Sequence, residues 1–229
     1  MSKRQVVLFL AFLCVSSLLA LAGCRHRPVT DDAAVTEAQL RAALLSVQDL
    51  PPGWMRDDSD EDGEDENENV GEPAGEPTTL FLGQELPDRS RFTVSAGFSG
   101  GDLGPFVTHA VSAFPEGQAA VAFAEQAEVI RAAAPYTLTL SGGTTMPMEM
   151  WPLTFDPLGA DSIAVRSVSG EAPLFGTIYT DSVYVLAADA EAIIRLTGIS
   201  LGGEAMNREQ MSEWAQRSVE KLSAALENP

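Results

Sequence analysis

Between Arg91 and Phe98 the side chains alternate: Phe92, Val94, Ala96 and Phe98 fall on one side, Thr93, Ser95 and Gly97 on the other. Only an extended strand sends consecutive residues to opposite faces, so this stretch predicts a half-buried strand. A sheet built that way is antiparallel as a rule and needs a partner layer on its apolar face. Gly100-Gly101 supplies a turn into a second strand, Phe106–Phe114, and Thr79–Leu82 forms a shorter one before them. Tyr136–Leu140 and Met146–Trp151 flank Gly142-Gly143. Ser162–Val168, Leu174–Ala187 and Ala192–Ile199 then read as an antiparallel meander with turns near Gly170 and Asp189.

Three helices supply the covering layer. Thr36-Glu37-Ala38-Gln39 is a capping box, and Leu40, Leu44 and Val47 follow at helical spacing, which predicts a helix over 37–48 stopped by Pro51-Pro52-Gly53. Trp54 then seats the chain against the core. Pro115 to Ala134 carries Phe123, Ala127, Ile130 and Ala134 on one side and Glu125, Glu128 and Arg131 on the other, and Pro135 ends it. The last helix starts at Asn207 as N-cap with Gln210 three residues on. Met206 and Met211 form a hydrophobic staple, and Met211, Trp214, Ala215, Leu222 and Leu226 trace a buried stripe. The order helix, strands, helix, strands, helix has no regular βαβ alternation, so the fold class expected is α+β: an antiparallel sheet with three packed helices.

The region ahead of this domain has a different character. Lys3 and Arg4 precede an apolar run that ends in Leu21-Ala22-Gly23-Cys24, the layout of a secretory signal peptide. The last four residues resemble the bacterial lipobox. That resemblance implies cleavage between Gly23 and Cys24, a diacylglycerol thioether on Cys24, and attachment to the extracytoplasmic face of a bacterial membrane. The expected division is a signal peptide over 1–23, a flexible tether over 24–35, and a single domain over 36–229. Cys14 leaves with the leader, so Cys24 is the mature chain's only cysteine and the domain must be stable without a disulfide.

Acidic residues exceed basic ones by 19, which disfavours nucleic acid and anionic headgroups as partners. Much of the excess lies in 57–77, where 11 residues are acidic and none is basic. Such a stretch cannot bury enough apolar surface to offset the entropy of ordering, and is expected to be a disordered loop.

Leu44-Leu45-Ser46 followed by Asp49-Leu50-Pro51-Pro52-Gly53-Trp54 resembles the opening signature of actinobacterial cell-envelope lipoproteins, shared with the extracellular sensor domains of mycobacterial serine/threonine kinases. Phe114 leading into an alanine-rich helix, and Leu158-Gly159-Ala160-Asp161-Ser162 before a strand, are similar to the same group. The resemblance implies a PsbP-like α+β sandwich with a groove used for sensing or binding. The disulfide cysteines of the kinase sensors are missing here, and the acidic insertion is not part of their pattern.

Three strings invite chemistry. Gly97-Phe98-Ser99-Gly100-Gly101 matches a G-x-S-x-G nucleophile elbow, but a helix must follow the serine, and Gly100, Gly101 and Pro105 argue for a turn. His109, the only histidine within the predicted domain, reads as a satisfied strand residue. Asp58, Asp60 and Asp62 reproduce the first half of a calcium loop, yet Asn69 stands where a bidentate glutamate is required. Met146, Met148 and Met150 share one face of a strand, as a soft Cu(I) or Ag(I) ion needs, with Trp151 beside them for a cation–π contact; the same spacing describes core packing. No cofactor is expected. The function expected is a non-enzymatic, lipid-anchored envelope lipoprotein whose domain binds or senses a ligand or protein. The alternatives are metal handling at the methionines or the acidic loop, and a structural surface lipoprotein with no specific ligand.

Overall fold

The computed structural model describes residues 35–57, 78–82, 84–139, 145–170 and 176–227. Gly23 and Cys24, the tether up to residue 34, and Asp58, Asp60 and Asp62 with the rest of 58–77 lie outside them. Val35, at the end of the expected tether, is buried in the core, and Asp57 closes a short strand.

The fold is α+β, as expected. Among the described residues, ten strands and three α-helices follow in chain order: α1 (Glu37–Ala43), β1 (Met55–Asp57), β2 (Thr78–Phe81), β3 (Gln84–Pro87), β4 (Phe92–Ser99), β5 (Phe106–Ala113), α2 (Gln118–Ala132), β6 (Tyr136–Thr139), β7 (Thr145–Leu153), β8 (Asp161–Ser169), β9 (Ile178–Ala187), β10 (Ala192–Leu201) and α3 (Arg208–Glu227). Eight strands form one antiparallel sheet in the order β1-β4-β5-β10-β9-β8-β7-β6, and β2 and β3 form a separate hairpin. Helix α2 carries the chain from β5 to the far side of the sheet, and the meander β6 to β10 walks back until β10 pairs with β5. The sequence missed only β1, whose three residues are too few for alternation to register, and β3, whose Gln84, Glu85 and Pro87 are residue types uncommon in strands.

Alternation sorts the side chains between two layers. Val94, Ala96 and Phe98 of β4, Val107 and Val111 of β5, and Ile194 and Leu196 of β10 face α1 and α3. Val165, Tyr184 and Ile193 face α2 and the β2–β3 hairpin. Trp54 meets Trp214 of α3 edge to face, with ring centroids 5.5 Å apart. Gly198 lets the entry to α3 come down on β10: a Cβ there would lie 2.7 Å from Met206 Cγ and 3.3 Å from Met211 Sδ, the two staple residues.

Helix α1 is shorter than the apolar spacing predicted. Its capping box is formed, with Thr36 Oγ1 accepting from the Gln39 N–H and Gln39 Oε1 accepting from the Thr36 N–H. At the other end the Leu45 N–H, which one more helical residue would direct to Arg41, instead donates to His109 Nδ1 at 3.0 Å. Leu44 turns extended, and Ser46 with Asp49 caps a short 3-10 turn over Val47–Asp49. A tertiary hydrogen bond therefore ends the helix before Pro51 can.

Gly159 gives a direct stability test. Its φ is +58°, and a Cβ would lie 2.7 Å from both the Leu186 carbonyl oxygen and Val185 Cγ1. Gly159→Ala is expected to lower the unfolding free energy by about 2–3 kcal/mol, combining left-handed strain of about 1–2 kcal/mol with a clash against backbone. Gly117, at φ +74° with nothing within 4 Å, isolates the strain component. Equal losses for Gly159→Ala and Gly117→Ala in denaturant titrations would remove the steric argument.

Candidate functional site

The residues singled out for chemistry divide clearly. Met146, Met148 and Met150 do share one face of β7, and all three are buried, Met150 in the core beneath α2. Trp151 is a correction: the alternation that buries the thioethers sends its ring to the opposite face, where it is 46 % exposed, so it cannot complete a cation–π contact beside them. Among the described residues no group of three or more His, Cys, Asp or Glu side chains is placed to hold a metal ion.

Ser99 ends β4, and the chain turns through residues 100–105 directly into β5. The helix that a nucleophile elbow needs does not follow it. His109 is fully buried and meets a different serine. Its Nε2 lies 2.8 Å from Ser218 Oγ of α3, which in turn donates to the Ala43 carbonyl at 3.4 Å. Because Nδ1 accepts from the Leu45 N–H, the ring proton sits on Nε2 and points at the serine. A general base needs the opposite arrangement, an Nε2 lone pair facing the hydroxyl. Burial, helped by the nearby Lys221 charge, pushes the His109 pKa down to about 3, so the ring stays neutral. It joins β5, the end of α1 and α3.

Beside it, Lys221 Nζ donates to the Leu44 carbonyl and to Asp49 Oδ2 at 3.0 Å. Burial by itself raises the Asp49 pKa. The Ser46 N–H, Lys221 and the Ser46 hydroxyl together outweigh it and hold the group at about 2. The Leu44-Leu45-Ser46 and Asp49 parts of the signature are thus the points where α1 is bolted to β5 and α3.

Two depressions lie among the described residues. One, of about 340 Å³, lies between Leu103–Pro105, the end of β10 and the segment entering α3. Its Asn207 side chain is already committed to the Gln210 N–H. The second, a groove of about 150 Å³, opens between α2, the β2–β3 hairpin and the sheet. Ile193, Tyr184, Phe81 and Phe114 supply its apolar lining. Phe81 meets Tyr184 edge to face at 5.2 Å. Burial raises the Tyr184 phenol above its usual 10, with the Arg195 charge opposing in part, so the hydroxyl remains neutral.

The polar groups around this groove are unequally satisfied. Arg89 pairs with Glu125 of α2 and ties the segment after β3 to that helix. Asp88 accepts from the Ser90 N–H at 3.0 Å and from its hydroxyl at 2.7 Å. Thr93 and Ser112 bond to each other across β4 and β5 at 2.8 Å. Two groups are left over. Gln126 Oε1 is buried with no hydrogen-bond partner, and Arg195 on the rim has no carboxylate within ion-pair distance among the described residues. A buried polar atom without a partner costs about 1–3 kcal/mol.

None of these residues stood out in the sequence as lining a groove. Arg195 carried the one available signal, a lone charge inside the apolar run Ala192–Ile199, and Gln126 carried none, since its partnerless state exists only once α2 is docked. No protein-family model matches the chain, and no curated protein matches it in sequence.

Proposed function

We propose that this chain is a lipid-anchored, extracytoplasmic binding protein without catalytic activity, whose ligand sits in the groove between α2, the β2–β3 hairpin and the sheet. The observation that carries the binding reading is a groove lined by Phe81, Phe114, Tyr184 and Ile193 with Arg195, which has no carboxylate partner among the described residues, in its lining. Pockets that bind small molecules have this make-up: mostly apolar walls and a few placed polar atoms. The non-catalytic reading is supported by the turn after Ser99 and by a His109 whose two nitrogens are both occupied and whose ring stays neutral.

A thermal-shift panel of small metabolites covering anionic, neutral and cationic classes tests the binding reading on the full chain. At least one compound is expected to raise the melting temperature of the wild type and not of Thr93→Trp, which sets an indole at the groove's exposed rim. A panel without a single such compound refutes it.

Anchoring is supported by Leu21-Ala22-Gly23-Cys24 and is tested separately. Cys24→Ala is expected to move the protein from the membrane to the soluble fraction, because two or three acyl chains are what make attachment lasting. The unfolding midpoint should not change, since no cysteine other than Cys14 and Cys24 exists and the core forms without either. Retention of Cys24→Ala in the membrane fraction would count against a lipid anchor.

A further inference from the structure

Trp151 marks a second surface, on the face of the sheet opposite the groove. The strand register places it directly across from Arg166 of β8, and Arg166 across from Asp181 of β9. One step along the same face, Glu149 of β7 stands opposite Val168 of β8, and Val168 opposite Tyr179 of β9. Alternation sends these six side chains to the side on which α1 and α3 pack, and the Arg166 bond to the Met206 carbonyl, just ahead of α3, agrees with that. Those helices rest mainly on β4, β5, β9 and β10. Toward β7 the face has no helix over it among the described residues.

Its side chains are accessible. Trp151 is 46 % exposed, Glu149 is exposed, and Val168 and Tyr179 are half-buried. Trp151 and Tyr179 are two strands and one two-residue step apart, a separation of about 12 Å. Beside them the Arg166 guanidinium and the Asp181 carboxylate are spent on each other. Glu149 has no ion-pair partner among the described residues, which leaves its carboxylate open to a donor.

This pattern discriminates between occupants. A stable protein interface needs a contiguous apolar centre depleted of charge, and here the Arg166–Asp181 pair interrupts it. An anion is opposed by Glu149 and by the chain's net charge of −19. A neutral sugar ring suits both halves of the pattern. Its C–H groups form an apolar face that lies flat on an indole or phenol ring, and the hydroxyls at its rim donate to a carboxylate. We propose that this open face binds a neutral saccharide chain, with one sugar ring stacked on Trp151 and donating a hydroxyl to Glu149, and a later ring of the same chain on Tyr179. The site is separate from the α2 groove and does not rest on it.

NMR titration of the full chain tests this with four neutral hexasaccharides as probes (cellohexaose, maltohexaose, laminarihexaose and mannohexaose) and hexagalacturonate as the anionic control. The chain has three tryptophans, and Trp54 and Trp214 pack against each other, so the Trp151 indole N–H reports separately. At least one neutral probe is expected to shift the Trp151 signal saturably and leave those of Trp54 and Trp214 in place, and hexagalacturonate to shift none. Trp151→Ala and Glu149→Ala should each weaken that probe about tenfold or more in calorimetry, the loss of one stacking contact or one charged hydrogen bond. Both side chains are exposed, and an unchanged melting temperature shows that each variant is folded; if one is not, the wild-type indole shifts carry the same information. Thr93→Trp, which fills the groove on the other face, should leave saccharide binding intact. No saturable Trp151 shift at millimolar concentration of any neutral probe, equal shifts with hexagalacturonate, or affinity that survives Trp151→Ala overturns the proposal. A Trp151 signal that moves with protein concentration alone would make the face a contact between copies and overturn it too. Loss of saccharide binding in Thr93→Trp would assign the sugar to the groove instead.

Discussion

Lowering the pH from 6.5 towards 4.5 is expected to destabilise the protein through a single side chain, His109, and His109→Leu should abolish that dependence. The folded-state pKa of about 3 lies below the ordinary 6.5. Between those values the unfolded chain binds a proton that the folded chain excludes, so stability rises with pH across this window and is fully present above it. The limiting slope is about 1.4 kcal/mol per pH unit, and the whole window amounts to about 5 kcal/mol. Asp49 acts lower. Its folded pKa of about 2 lies below the usual 3.8, so its contribution is present above 3.8 and lost as the pH falls through 2. The interval from about 4.5 to 6.5 therefore reports His109, the only other histidine being His26. His109→Leu also leaves the buried Leu45 N–H without an acceptor, at a cost of about 2–3 kcal/mol at pH 7. Denaturant unfolding at a series of pH values decides the matter: the same slope in wild type and variant between 4.5 and 6.5 would rule out a buried neutral histidine.

Arg166→Met is expected to be comparably severe at neutral pH. Arg166 of β8 holds Asp181 of β9 through two parallel bonds, Nε to Oδ1 at 2.6 Å and Nη2 to Oδ2 at 2.9 Å, and the Asp181 side chain is only 4 % exposed. The bond to Asp181 outweighs partial burial and raises the Arg166 pKa above its ordinary value, so the guanidinium stays charged. Removing it strands a carboxylate in the sheet. Breaking buried pairs this way costs about 3–5 kcal/mol, and the partial exposure of Arg166 places this pair near the lower figure. The cost comes from the stranded charge and not from the lost attraction, which a double variant separates. Arg166→Met with Asp181→Leu should recover most of the stability, because an apolar pair of similar volume replaces both charges. A double variant as unstable as the single one would show that the pair contributes net attraction.

The way these residues were or were not legible follows from what determines them. Alternation in β4 and the helical stripe of α3 are local consequences of burial, and both could be read directly. So could the caps at Thr36 and Asn207, whose partners lie three residues away. The role of Ser218 was hidden because it stands at a stripe position where an apolar residue is the rule, and only His109, 109 residues earlier in the chain, accounts for it. The end of α1 was misplaced for the same reason: the hydrogen bond that stops it comes from β5. The groove is the extreme case. Arg195 and Gln126 are defined by the partners they lack, and a missing partner is a property of the assembled tertiary structure.

The outermost strands of the eight-stranded sheet, β1 and β6, span three and four residues. Beyond the end of β6, the nine-residue β7 continues with Glu149 and Pro152, a charge and a residue that has no backbone N–H to offer. Fibrillar and edge-to-edge association requires a long, flat row of free donors and acceptors, and the β6–β7 margin presents very little of one. Copies crowded together would meet no ready backbone template there on which to zip, so resistance to stacking along that margin is written into the sheet's perimeter.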